Sequence, residues 1–253
     1  MIVVLDCETT GISAEAGDAV VEVAAVPLRR TLEGSAVSWE LGPGASSLVA
    51  PGRRVPPAAR AVHHLGDEEL RSEPKLRVAL HQVLSQINER GEWCEAVACH
   101  NAAFDRAFLG GHFLPDMPWL CTWRLSLHLW PEADSHSNQA LRYGVRGLDA
   151  DFQVWLEAAA RGPCPEPDLV PHRALYDAGV TACLLRRMLA THTVEQLLAL
   201  QEQPVLQRIC RFGKHRGAPW SQVPQDYLKW LLRADPPFDG DVQHTARHHL
   251  LGS

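Results

Sequence analysis

Asp6 and Glu8 stand two residues apart, directly after the apolar run Ile2 to Leu5. On a strand both carboxylates point to one face, because side chains alternate, and two hard oxygen donors on one face can share a divalent cation. A third carboxylate, Asp105, lies in Cys99-His-Asn-Ala-Ala-Phe-Asp-Arg-Ala-Phe108. That segment reads as the end of a strand followed by a helix with Asn101 as its N-cap. His172 precedes Asp177 by five positions in His-Arg-Ala-Leu-Tyr-Asp. On one helix the two side chains would lie about 140° apart, on roughly neighbouring faces. Such a pair could bring a metal-held carboxylate and a proton acceptor to one reaction centre. Taken singly, each residue has a plainer reading: acids facing water at a strand end, an aspartate complementing a helix dipole, a surface or satisfied core histidine.

The elements that must position these residues follow from hydrophobic patterning. Ile2 to Leu5 reads as a buried strand and Ala19 to Leu28 as a second, joined by a hairpin-like connection over 11–18; a third is expected within Val37 to Val49. Pro56 to Leu70, with Leu76, Leu80, Leu84 and Ile87 after it, has helical spacing. Ala96 to Cys99 returns to a short buried strand, and the proline- and acid-rich stretch 162–171 reads as a loop leading into a helix over 172–189. Three strands followed by alternating helices and strands predict an α/β domain with a mixed sheet.

The 253 residues, 46% hydrophobic, suffice for one sizeable core and a small satellite domain. Ile2 to Leu5 is too short for a signal peptide or membrane span, so a cytoplasmic location and no membrane partner are expected. Seven cysteines, at 7, 94, 99, 121, 164, 183 and 210, form no CxxC pair and no zinc-like cluster, and reduced, mostly buried thiols are expected. The net charge of −6 argues against a polyanionic partner until its distribution is considered. Residues 1–205 carry 17 basic and 26 acidic side chains, whereas 206–233 carry six basic residues and Asp226 as the one acid. A local basic patch is the relevant footprint.

Three segments, Asp6-Cys-Glu-Thr-Thr-Gly11, His100-Asn-Ala-Ala-Phe-Asp105 and His172 with Asp177, together resemble the DEDDh 3′→5′ exonucleases over roughly residues 1–190. The resemblance implies an RNase H-like mixed sheet flanked by helices, and two magnesium ions, replaceable by manganese, held by Asp6, Glu8, Asp105 and Asp177. It also implies release of nucleoside 5′-monophosphates from a 3′ end. His172 would be the general base, since Tyr176 adjoins Asp177 whereas the tyrosine-type spacing would be four. Phosphodiester hydrolysis needs water activated and charge neutralised at the phosphorus and the leaving oxygen, work that paired divalent ions perform. Thr9, Thr10 and Gly11, with Asn101 and His63, would meet the terminal nucleotide; a plain strand-to-strand turn remains the alternative for the first three.

Cys121-Thr-Trp-Arg-Leu-Ser-Leu-His-Leu-Trp-Pro131, Ser137-Asn-Gln-Ala-Leu141 and Phe212-Gly-Lys-His-Arg-Gly217 with Tyr227-Leu-Lys-Trp-Leu231 resemble the DNA-degrading branch of that family. DNA, single-stranded or duplex, is therefore the expected partner. RNA is the alternative within the same chemistry, and a noncatalytic nucleic-acid adaptor the alternative outside it. The predicted organisation is an exonuclease domain over 1–200 and a small basic module over 206–253. Lys214 and Arg216 would grip the phosphate backbone there; Trp220, Tyr227 and Trp230 could stack on bases, but their spacing on a short helix reads as that module's core.

Overall fold

The computed structural model describes residues 1–34, 36–88, 91–161 and 169–251. The chain divides into two compact units, Met1–Leu198 and Ala199–Ser253. In the larger unit, strands β1 (Ile2–Thr9), β2 (Val20–Glu33), β3 (Ala36–Leu41) and β4 (Ala45–Leu48) come first. Helices α1 (Pro57–His63), α2 (Asp67–Leu70) and α3 (Leu76–Ile87) follow, then β5 (Ala96–Cys99), α4 (Ala102–Leu109), β6 (Trp119–Cys121) and α5 (Thr122–Leu129). Helices α6 (Asn138–Gly144), α7 (Leu148–Ala160) and α8 (Ala174–Leu189) close the series, and α9 (Val194–Gln201) runs across the division at Leu198. The described strands form one sheet in the order β3-β2-β1-β5-β6, with β4 also paired to β2. β1 runs antiparallel to β2 and parallel to β5, so the sheet is mixed.

Apolar, β-branched β1 is buried on both faces until its carboxylates begin, as befits a central strand. The expected third strand is two. β4 pairs with the first half of β2, from Glu22↔Leu48 to Ala25↔Ala45, and β3 with the second half, from Leu28↔Leu41 onward. Gly42, Pro43 and Gly44 break the strand between them, because proline cannot donate to a ladder and the glycines permit the kink. The helical pattern over Pro56 to Leu70 is likewise interrupted: His64 caps α1 in the left-handed region (φ 64°) and Gly66 opens α2. Most of the expected 162–171 loop lies outside the described residues.

Helix α8 packs across β1 and β2 and is buried along nearly its whole length. Gly179 makes that approach possible against α7: a Cβ there would collide with the ring of Trp155, whose indole N–H donates to the Gly42 carbonyl at 3.2 Å. In the smaller unit, Cys210, Trp220, Val223, Leu228 and Leu231 pack with Val242 and Ala246 into a separate core. Helices α10 (Gln225–Arg233) and α11 (Gly240–Leu251) supply most of it. The six described cysteines are free thiols, four of them buried; Cys164 lies outside the described residues. No described helix is long and apolar enough to cross a membrane.

Alanine has the higher helix propensity by about 1 kcal/mol, yet Gly179→Ala should destabilise the larger unit by about 1–3 kcal/mol through overpacking. Thermal melts of the variant, and of Gly179→Ala combined with Trp155→Leu, check this; a stabilised single variant would contradict the packing described.

Candidate active site

Asp6, Glu8 and Asp177 each bring a carboxylate oxygen to within 4.8 Å of the others. The first two sit at the C-terminal end of β1, where the ladder to β2 slips register between Glu8 and Thr9. Asp177 comes from the first turn of α8. All three are half-buried, and all their donors are hard oxygens, the ligand set that suits magnesium or manganese rather than a softer metal. The donor set therefore fits a divalent cation.

Asp105 stands beside this group without joining it. It is buried on α4 and accepts a hydrogen bond from the Cys7 thiol at 3.4 Å, while its charge is felt at both Asp6 and Glu8. Asn101 occupies the N-cap position of α4 but with φ 72° and no side-chain cap; its side chain is exposed. The expected capping interaction is replaced by a left-handed turn, a conformation asparagine tolerates better than most residues.

His172 lies in the turn before α8, not on the helix as its spacing with Asp177 suggested. It is exposed and left-handed (φ 63°), and its backbone N–H donates to Asp177 Oδ2 at 3.2 Å. Helix formation stops short of it because Arg173, at the N-cap, is extended and held elsewhere. The two residues are still neighbours, and a positive His172 favours the ionised form of Asp177.

The electrostatics are dominated by burial and by like charge. Asp6 is held well above the usual carboxylate range by burial, then by Asp105, Asp177, Glu8 and Glu22. Glu8 is pushed up to about 8 by burial and by Asp177, Glu22 and Asp105, with Arg173 opposing. Burial likewise lifts Asp105 to about 7, against the hydrogen bond from Cys7, and raises Asp177 against the hydrogen bond from Gln139. Carboxylates arranged this way resist ionising together unless a cation joins them.

Thr9 and Thr10 are buried, with their hydroxyls committed to the turn after β1. Thr9 Oγ1 donates to the Gly11 carbonyl at 2.6 Å, and Thr10 Oγ1 bonds Asp18 Oδ1 at 3.3 Å. A Cβ on Gly11 would strike the Asp18 carboxylate, so only glycine fits beside it. His63 is buried; its Nδ1 accepts the Leu65 N–H at 3.1 Å, and burial lowers its pKa against an interaction with the Thr9 backbone. Lys214 and Arg216 are exposed on the turn of the smaller unit.

Sequence reasoning missed the residues that hold these groups. Glu22, directly opposite Glu8 across β1 and β2, is 1% exposed. It takes Arg173 in a two-pronged ion pair, Nη2 to Oε1 at 2.8 Å and Nε to Oε2 at 3.0 Å, and accepts the Ala174 N–H at 3.1 Å. The pair fastens the start of α8 to β2 and fixes the chain on which His172 and Asp177 lie. A single acid inside the apolar run Val20-Val-Glu-Val-Ala-Ala-Val26 was the signal that could have found it. Gln139 Nε2 donates to Asp177 Oδ1 at 2.7 Å, and Asn138 Nδ2 to the Asp177 carbonyl at 3.1 Å, so the Ser137-Asn-Gln segment orients that carboxylate.

The chain is similar to known proteins along its length. Over 257 aligned residues the chain is 31% identical to Exodeoxyribonuclease 10 of Escherichia coli, with 99% of each protein covered. A DNA polymerase III subunit epsilon-like protein of Rhodobacter capsulatus is 36% identical over 148 residues, 56% of this chain and 19% of that protein. Among solved structures, Exonuclease X in complex with 5′ overhanging duplex DNA matches with a TM-score of 0.52 at 29% identity, covering 79% of this chain and 99% of the other. The mixed, curled sheet with flanking helices is the RNase H-like fold of these enzymes. Residues 3–185 match the family described as Exonuclease, RNase_T. A match of that length, joined to a relative aligned from end to end, makes this chain a member of the exonuclease family.

Proposed function

We propose that this chain is a 3′→5′ exonuclease that hydrolyses DNA to nucleoside 5′-monophosphates with two divalent ions, magnesium or manganese, and His172 as general base. The observation that carries the reading is the convergence of Asp6, Glu8 and Asp177 carboxylates within 4.8 Å, with Asp105 beside them. When bound, the ions supply charge neutralisation at the scissile phosphate and its leaving oxygen and make water a readier nucleophile. Asp6, Glu8, Asp105 and Asp177 hold them. Gln139 and the His172 backbone N–H fix the two oxygens of Asp177. The exposed imidazole of His172, on a turn set by the Arg173–Glu22 pair, is free to take a proton from the attacking water. Thr9, Thr10, Gly11, Asn101 and His63 line the approach of the terminal nucleotide. DNA rather than RNA is supported by the relatives: one is named an exodeoxyribonuclease and one is solved with duplex DNA. Exposed Lys214 and Arg216 in the smaller unit, 199–253, grip the backbone away from the scissile bond, where such contacts position without reading sequence.

Asp6→Asn, Glu8→Gln, Asp105→Asn and Asp177→Asn should each lower turnover by roughly 100-fold or more while DNA binding in calcium survives. Near-normal turnover in any two of the four would exclude the metal assignment. His172→Ala should lose chemistry but keep metal and substrate, read as turnover against DNA binding in calcium. Full activity in that variant would exclude His172 as the base.

The raised carboxylates also set the pH dependence of stability. Unfolded, Glu8 and Asp105 would titrate near pH 4, but folded they do so at about 8 and about 7, so between those values the folded chain binds more protons. Stability of the metal-free protein should therefore be fully present below about pH 4 for these groups and fall as pH rises through about 7 to 8. Thermal melts with chelator should decline over that window, and magnesium or Glu8→Gln should flatten the decline. A melting temperature that climbs there in chelator would contradict the charge arrangement.

A further inference from the structure

The smaller unit has an aromatic surface that phosphate gripping does not need. Leu228 and Leu231 point α10 into its core, leaving Trp230 51% exposed on the outer side although indole is among the most apolar groups available. Tyr227, one helical turn earlier, lies against it, ring centroids 5.1 Å apart and planes 28° apart. Behind the indole, Phe238 meets Trp230 edge-on at 5.7 Å, stacks on Phe212 at 5.0 Å, and Phe212 in turn meets buried Trp220 at 6.2 Å. Trp230 is thus the exposed end of an aromatic column rooted in the core, which corrects the expectation that Trp220, Tyr227 and Trp230 are all core.

The same column carries cations. Lys214 Nζ lies 5.2 Å from the centroid of the Tyr227 ring, and Gly213, left-handed at φ 61°, lets the basic turn press onto the Tyr227 hydroxyl where a side chain would collide. Lys229 adjoins Trp230 in sequence but lies 3.9 Å from the Asp226 carboxylate, whereas among the described residues no carboxylate pairs with Lys214, Arg211 or Arg216. A π-face held rigid among unneutralised cations matches a ligand that alternates flat rings with anionic groups.

We propose that Trp230, backed by Tyr227, is a stacking platform for an unpaired base of single-stranded nucleic acid, with Lys214 and Arg216 receiving the flanking phosphates. Only the choice of polymer rests on the exonuclease reading. A base stacked there would hold the strand by its ring face, whatever the sequence, and so add an attachment independent of the 3′ end.

The test uses the full-length protein in EDTA, titrated with labelled oligothymidylate and with an abasic strand of equal length and charge. Trp230→Ala should weaken oligothymidylate binding by about 5- to 100-fold, Trp230→Phe should retain most of it, and abasic binding should not change. Lys214→Ala with Arg216→Ala should weaken both ligands alike and reduce the log–log salt slope by about 1 to 2. Equal loss of both ligands in Trp230→Ala, or no loss, would overturn the platform. So would a change in self-association measured by light scattering with nucleic-acid binding intact. Should alanine unsettle the unit, equal affinity of the wild type for the two strands would overturn it as well. Base-dependent binding without any magnesium-dependent trimming would instead sink the exonuclease reading and leave the platform standing.

Discussion

The half-buried carboxylates at the end of β1 repel one another, and much of the larger unit is arranged to keep them together nonetheless. Asp6 and Glu8 are forced to one face by strand alternation, Asp177 arrives from α8, and burial denies all three the water that would otherwise screen them. Left to themselves such groups neutralise by keeping protons, as the upward displacement of Asp6, Glu8 and Asp105 indicates. A divalent cation reverses that preference, since it rewards the ionised form of every oxygen it touches. On the proposed function, the carboxylates reach their ionised arrangement only with a divalent ion among them.

Holding a repulsive cluster requires rigidity in the elements around it. β1 is central in the sheet and flanked by β2 and β5, so its end cannot drift. Helix α8 is held by nearly continuous burial, by the close packing on Trp155 of α7 that Gly179 permits, and by the Glu22–Arg173 pair at its N-cap. A buried ion pair of this kind adds little net stability compared with apolar packing, but loss of either partner leaves an uncompensated charge. Its value here lies in place: Glu22 is opposite Glu8, and Arg173 adjoins His172, so one pair ties both halves of the site. Arg173 also opposes the rise of Glu8.

Much of this was legible in the sequence because the chemistry is local. Strand alternation places Asp6 beside Glu8, and the strand-to-helix switch at Cys99–Ala102 places Asp105. What sequence could not supply was the tertiary part. Helical periodicity alone suggested that His172 and Asp177 share a helix, but Arg173 is drawn to Glu22, 151 residues away, and the helix begins only after it. The breaks at Gly42–Gly44 and at His64 were overlooked because apolar spacing continues through them. Trp230 was misread for the converse reason: an aromatic at helical spacing from Tyr227 is usually core, and only the packing of Leu228 and Leu231 decides which side of α10 faces inward.

On the proposed function, this acidic site removes nucleotides from a 3′ end when it holds a divalent ion. Single-stranded and duplex DNA labelled at the 5′ end, with matched strands labelled at the 3′ end and RNA of the same sequence, tests it when incubated with magnesium or with EDTA and resolved by length. The account predicts a descending ladder from the 5′-labelled DNA, immediate release of labelled mononucleotide from the 3′-labelled DNA, slower loss of RNA, and no product in EDTA. Internal cuts, shortening from the 5′ end, or undiminished trimming in EDTA would contradict it.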